Sequence, residues 1–212
     1  MSDRFSMANM AIEAGAKAGL FEADEMTRSF IRARGREDGL YLQSDPDAEY
    51  AAVYEFDVSE FEPFVAVPFI PENVKPVSQL NEVEIDQAVI GMCTNGNLED
   101  LRAAAEILKG HQIHPRVRAV IIPGSQKVYL DALREGLIEI FIQANCSVST
   151  PTCGPCLGGH MGVLAAGEKC ISTSNRNFRG RMGHTSSELY LANPYVAAAS
   201  AIAGRIISPD DL

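Results

Sequence analysis

Ile85-Asp86-Gln87-Ala88-Val89-Ile90-Gly91-Met92-Cys93-Thr94-Asn95-Gly96, followed by an amphipathic stretch from Leu98 to Leu108, decides the fold class. A short apolar run bounded by Gly91 has the length of a buried strand, and the spacing then changes to that of a helix, with Gly110 as its stop. Strand, loop and helix in that order make one βα unit. Working outward, the same unit recurs. Val117–Ile122 reads as a strand, followed by Pro123-Gly124-Ser125 and a helix from about Lys127 to Ala144. Cys146–Ser149 is a third strand, ahead of Thr152-Cys153-Gly154-Pro155-Cys156, and Glu168–Thr173 a fourth, ahead of Ser174-Asn175-Arg176-Asn177-Phe178. A closing helix has Asn193 as N-cap, Pro194 at its first position and Gly204 as its stop. The fold class expected is α/β, a parallel sheet flanked by helices, over residues 81–212. In such sheets ligands sit beyond the carboxyl ends of the strands, so the loops after these strands should line one crevice.

Residues 1–80 read as a partial helical domain and connector. Phe5, Met7, Met10, Ala11, Ala14 and Ala18 recur at helical spacing from the very start, so the expectation is a chain that begins inside a longer one. Asp24 reads as the N-cap of a second helix ending near Arg34, and Gly35 to Tyr54 is polar with a turn at Asp45-Pro46-Asp47. From Ser59 to Leu80, Pro63, Pro68, Pro71 and Pro76 leave room only for a short strand at Val65–Val67.

The 212 residues are 46% hydrophobic, enough for a real core, and carry a formal net charge of -10. Nucleic acid and anionic membrane both call for a basic face, so neither is expected as the partner. No apolar run has the length of a membrane span and no signal peptide is visible, which makes the cytoplasm the default compartment. Five cysteines, an odd number, argue against a secreted disulfide framework and leave thiol, metal or redox chemistry.

Cys153-Gly154-Pro155-Cys156 is a C-x-x-C, open to a zinc knuckle, an iron–sulfur ligand pair or a redox dithiol. Cys93 adds information, because it follows a strand end at the same crevice and precedes a helix N-terminus that favours thiolate. Three cysteines on a cubane cluster leave one iron without a protein ligand, able to bind substrate oxygens. Cys146 and Cys170, within strands, suit a core role. Arg176, Arg179 and Arg181 fall within six residues of an acidic chain. Solvated charge is one account of them; a planar fork for the carboxylates of a di- or tricarboxylic acid is the other. Asn9 and Glu13, four apart, would share one face of the first helix and could be buried and functional. The four histidines show no metal-ligand spacing, and no P-loop or dinucleotide fingerprint occurs.

Taken together, Ile90-Gly91-Met92-Cys93-Thr94-Asn95-Gly96, Pro151-Thr152-Cys153-Gly154-Pro155-Cys156-Leu157-Gly158-Gly159-His160 and Ser172-Thr173-Ser174-Asn175-Arg176-Asn177-Phe178 resemble the aconitase superfamily, nearest its isopropylmalate dehydratase and homoaconitase branch. The resemblance runs from about Arg4 to the C-terminus. It implies a [4Fe-4S] cluster held by Cys93, Cys153 and Cys156, with Asn175 near the cluster and Arg176 and Arg181 on substrate carboxylate. Met7-Ala8-Asn9-Met10-Ala11-Ile12-Glu13 resembles the family's helix with an active-site Asn and Glu, here Asn9 and Glu13. Ser6-Met7-Ala8 departs from it, since relatives usually carry a Thr and a Cys before that Asn. The family's Asp-His and Asp-Ser-His motifs do not occur in this sequence. The resemblance therefore implies two partners, the N-terminal part of the large subunit and a small subunit with the swivelling domain that brings the catalytic base. The implied reaction removes and re-adds water on a small 2-hydroxy carboxylic acid. A non-catalytic module holding a cluster or zinc is the reading from a different class.

Overall fold

The structure, a computed structural model, describes residues 1–36 and 39–212. The polar stretch from Gly35 to Tyr54 includes positions 37 and 38, which lie outside the described residues. The chain divides into two compact units, one of Met1 and Asp3–Phe61, the other of Ser2 and Glu62–Leu212.

In the first unit, α1 spans Ser2–Met10 and α2 spans Glu25–Arg32. Asp24 caps α2 by accepting from the Thr27 amide, and its carboxylate also pairs with Arg4 at 2.6 Å. Phe5 meets Phe30 edge to face with centroids 5.5 Å apart. The helical spacing of the sequence overreaches here. After Met10 the amides of Glu13, Ala14 and Gly15 bond three residues back, and Gly15 takes a left-handed φ of 74°, so regular helix stops before Glu13.

Among the described residues the second unit holds one seven-stranded sheet in the order β2-β1-β7-β6-β3-β4-β5. Its strands are β1 (Phe64–Ala66), β2 (Val74–Pro76), β3 (Gln87–Gly91), β4 (Arg118–Ile122), β5 (Ser147–Val148), β6 (Lys169–Ser172) and β7 (Glu188–Leu191). β3 to β7 run parallel, while β1 is antiparallel to both β2 and β7. The four expected strands are all present to within two residues, and β7 and β2 are additional. Because β1 and β2 join this sheet, the units divide after Phe61 and not near residue 80, where the proline-rich connector suggested.

The helices of this unit are the single turn α3 (Met92–Asn95), α4 (Leu98–Leu108), α5 (Gln126–Arg134), α6 (Leu137–Gln143) and α7 (Pro194–Ala203). The single helix expected from Lys127 to Ala144 is two, because Gly136 sits at φ 75° and turns the chain between α5 and α6. Asn193 caps α7 by accepting from the Val196 amide at 2.9 Å, and Gly204 ends it at φ 76°.

Alternate residues of each central strand face two different cores. Ala88, Ile90, Ala119, Ile121 and Ile171 pack with Leu101, Phe141, Ala197 and Ala198 of the helices. Val89, Val120, Ile122, Cys170 and Leu189 pack with Leu164 and Met182 from loops. This asymmetry follows from handedness. The chain steps from β3 to β4 to β5 in one direction with its helices over one face. It then returns past β3 to build β6 and β7 on the other side, and a right-handed connection in that direction crosses the opposite face. The loop crossing that face, from Thr173 to Ser187, carries Asn175, Arg176 and Arg181.

Candidate functional site

The sheet order creates one switch point. β3 leads to β4 on one side, whereas its neighbour on the other side, β6, begins the second half of the sheet. The chain departs in opposite directions from the carboxyl ends of β3 and β6, which opens a crevice there. Cys93 lies in the turn after β3, and Asn175 and Arg176 follow β6. Cys153 and Cys156 follow β5, at the same end of the parallel sheet.

Tight packing brings the cysteine loops together around Ile122, the last residue of β4. Gly91 adopts φ 117°, and a Cβ on it would collide with the Ile122 carbonyl. Gly154, at φ 52°, lies so close to the Ile122 side chain that a Cβ there would collide as well. The loop of Cys93 and the loop of Cys153 thus lean on one residue. Cys156 in turn packs against the cluster that contains Met92 and Ile122.

The five cysteines are free thiols and differ sharply in access. Cys93 and Cys153 are exposed and Cys156 is half-buried, whereas Cys146 and Cys170 are buried. Burial pushes the Cys146 thiol up to about 12. Cys170 is pushed up to about 12 for the same reason, against a smaller opposing effect of the Gln87 amide. Both stay neutral at physiological pH and are poor ligands, since the thiolate is the metal-binding form.

The loop after β6 is tied to the loop after β3. Asn95 Nδ2 donates to Asn175 Oδ1 at 2.7 Å and to the Thr173 carbonyl. The Gly91 amide donates to Thr173 Oγ1 at 2.8 Å. Further along, Arg181 Nη2 donates to Cys156 Sγ at 3.6 Å, while its Nε is buried with no hydrogen-bond partner. Arg176 is half-buried. Arg179 instead turns outward, stacking on Phe69 at 3.9 Å and donating to the Thr185 carbonyl at 3.2 Å. Asn177 is fully buried, donating from Nδ2 to the Val67 carbonyl at 2.9 Å, and its Oδ1 has no partner.

Of the residues singled out in the sequence, Cys93, Cys153, Cys156, Asn175, Arg176 and Arg181 lie in the segments that follow β3, β5 and β6 of the second unit. Asn9 and Glu13 lie in the first unit. Asn9 is exposed on α1 and Glu13 is half-buried in the turns after it, so the single buried helical face expected for the pair is not formed. Sequence reasoning missed Asn95, Thr173 and Asn177. Asn95 and Thr173 stand inside the quoted motifs, and their side chains acquire significance only through the pairing of β3 with β6.

Among the described residues, no three His, Cys, Asp or Glu side chains converge as a single ion requires. A cubane cluster has no such requirement, because each cysteine ligates a different iron. The donor set fits that group on chemistry. Two exposed thiols and a half-buried one follow β3 and β5 at one end of the sheet, Cys156 packs on the apolar cluster of Met92 and Ile122, and Arg181 beside it has a buried Nε without a protein acceptor.

A mostly parallel sheet with these cysteine loops at its switch point defines the class, and the chain belongs to the aconitase family. The model of that family, described as aconitate hydratase, matches residues 1–82 and 75–204. Among individual relatives, the 3-isopropylmalate dehydratase large subunit of Syntrophus aciditrophicus is 58% identical over 212 residues, covering 100% of this chain and 50% of that protein. The large subunits of Hydrogenobaculum sp., 59% identical over 212 residues, and of Aquifex aeolicus, 58% identical over 217, cover the same shares. The chain spans about half the length of the curated relatives it matches. No helix among the described residues is long and apolar enough to cross a membrane.

Proposed function

We propose that this chain is part of the large subunit of a 3-isopropylmalate dehydratase, a cytoplasmic hydro-lyase of leucine biosynthesis. In this reading Cys93, Cys153 and Cys156 hold a [4Fe-4S] cluster. The observation that carries it is the likeness of the whole chain to 3-isopropylmalate dehydratase large subunits, 58% identical over 212 residues, with Arg181 Nη2 set beside Cys156. A guanidinium beside the cysteine loop offers a planar fork to a substrate carboxylate. Held there, the cluster would supply Lewis acidity toward a substrate hydroxyl.

The chain's own residues do the rest of what is assigned here. Arg176 and Arg181 clamp the carboxylates of a 2-hydroxy diacid and stabilise the charge that develops on the carboxylate next to the C–H bond being broken. Asn175 would offer a side-chain hydrogen bond to the group held by the cysteines. Asn9 and Glu13 are assigned to the catalytic set on the motif of the first unit alone. The base that removes the proton is assigned to the small subunit, which joins this chain and the other half of the large subunit in the working enzyme.

The test is anaerobic reconstitution of the full chain with iron and sulfide, followed by metal analysis and visible absorption. Stoichiometric iron and sulfide with broad visible absorbance are expected. Colourless protein holding zinc instead would move the chain to the non-catalytic module.

A further inference from the structure

We propose that Asn95 is a positioning residue: anchored on the Thr173 carbonyl, it sets which end of the Asn175 carboxamide faces the site. The inference rests on the cluster reading above and adds a residue to which that reading gives no part. The two ends of a carboxamide are alike in shape and opposite in hydrogen-bonding character, so only the neighbours decide which way it points.

Here the decisive neighbour is unambiguous. A peptide carbonyl only accepts, so the Asn95 atom against Thr173 O is Nδ2. The same nitrogen lies 2.7 Å from the Asn175 side chain. Its two hydrogens serve two acceptors, which makes the Asn175 atom there Oδ1. The end of Asn175 turned away from Asn95 is therefore its donor end.

The reference carbonyl is itself held. Thr173 is 1% exposed, accepts the Gly91 amide on Oγ1 at 2.8 Å, and donates its own amide to Val89 O at 3.0 Å. Gly91 and Val89 belong to β3, the strand that leads into Cys93. The polarity of Asn175 is thus tied to the pairing of the two strands whose loops carry Cys93 and Arg176. On the cluster reading, a donor at that end would suit thiolate, sulfide or carboxylate acceptors, and an acceptor there would repel them.

The test uses the full chain, isotope-labelled for side-chain amides and free of metal, with Asn175→Asp identifying the Asn175 resonances by their loss. In Asn95→Asp the new group only accepts, so Asn175 is expected to turn over and donate to it, moving one amide proton downfield. In Asn95→Ala the Asn175 pair is expected to move without that downfield shift, and this variant decides the matter if Asn95→Asp does not fold. Asn175 resonances unmoved in a natively folded variant overturn the proposal.

The second arm reads bleaching in air after anaerobic reconstitution. Asn95→Asp is expected to bleach several-fold faster than wild type, and to add nothing in an Asn175→Ala background, because it acts through that residue. Effects that multiply in the double variant also overturn it. If the wild-type chain takes up no iron and sulfide, the cluster reading fails by itself, and the amide resonances still decide what Asn95 does to Asn175.

Discussion

A sulfur's environment, and not its residue type, divides the five cysteines into two groups. Cys93, in the single turn α3, and Cys153, on a loop, are exposed, with Cys156 beside Arg181, while Cys146 and Cys170 are sealed in the cores. Replacing Cys93, Cys153 or Cys156 with Ser should abolish cluster retention, and Cys146→Ser or Cys170→Ser should leave it largely intact. Iron content of the reconstituted variants is the measurement, and loss in all five or in none would sink the assignment. The buried pair also has a pH signature. Each thiol ionises at about 12 in the fold against an ordinary 9.0, so its stabilising effect is complete below about 9 and is lost as the pH climbs toward 12. Denaturant midpoints should fall across that alkaline window, and Cys170→Ala should flatten the fall. For Arg181 the expectation concerns geometry. In the assembled enzyme Arg181→Lys should lower turnover by about one to two orders of magnitude, because Lys keeps the charge and loses the planar fork. Wild-type kinetics in that variant would return Arg181 to a purely structural role.

At the scale of elements, the ends matter more than the middles. α7 begins at an Asn193 cap and a Pro194 first turn, and buries Val196, Ala197, Ala198 and Ala201 against the sheet and α4. Asn193→Ala leaves the Val196 amide without its side-chain acceptor and should cost about 1 kcal/mol of stability. Equilibrium unfolding of the variant measures it, and a change within error would mean that solvent replaces the cap freely. Helix interiors were readable from apolar spacing, as α4 and α7 illustrate. Their interruptions were not. Gly136 splits α5 from α6 although apolar residues continue through it, and α1 stops at Met10 although Ala14 and Ala18 keep the period. A period reports which positions can share a face. It does not report whether a partner lies there to hold the face in helical form.

For the whole molecule, the proportion of its relatives that the chain represents sets the expectation. Spanning about half of them, it carries the cysteine loops and two of the proposed carboxylate-binding arginines. Dehydration needs a Lewis acid, carboxylate clamps and a base held together, and losing one member of such a set costs orders of magnitude. The 212-residue chain, fully reconstituted, should therefore show no isopropylmalate isomerisation. Adding the other half of a relative's large subunit and a small subunit should restore it. Turnover of about 1 per second or more by the chain alone would show that the site is complete within it. The first unit also exposes Leu40, Leu42, Val53, Tyr54, Phe56 and Val58, scattered apolar side chains that favour association in solution.

By itself the sequence determined the α/β class and the four strands that precede the loops of the candidate site, and it singled out three of the five cysteines for proposal. Those features rest on local pattern: strand length, helical period, and breakers such as Gly91, Gly110 and Gly204. The tertiary structure alone decided that β6 lies against β3, that β7, β1 and β2 extend the sheet, and that Ile122 is the point on which two cysteine loops lean. It alone joined Asn95 to Asn175 across eighty residues of chain. Strand order and side-chain partnership depend on contacts between residues far apart in sequence, and no local period carries that information.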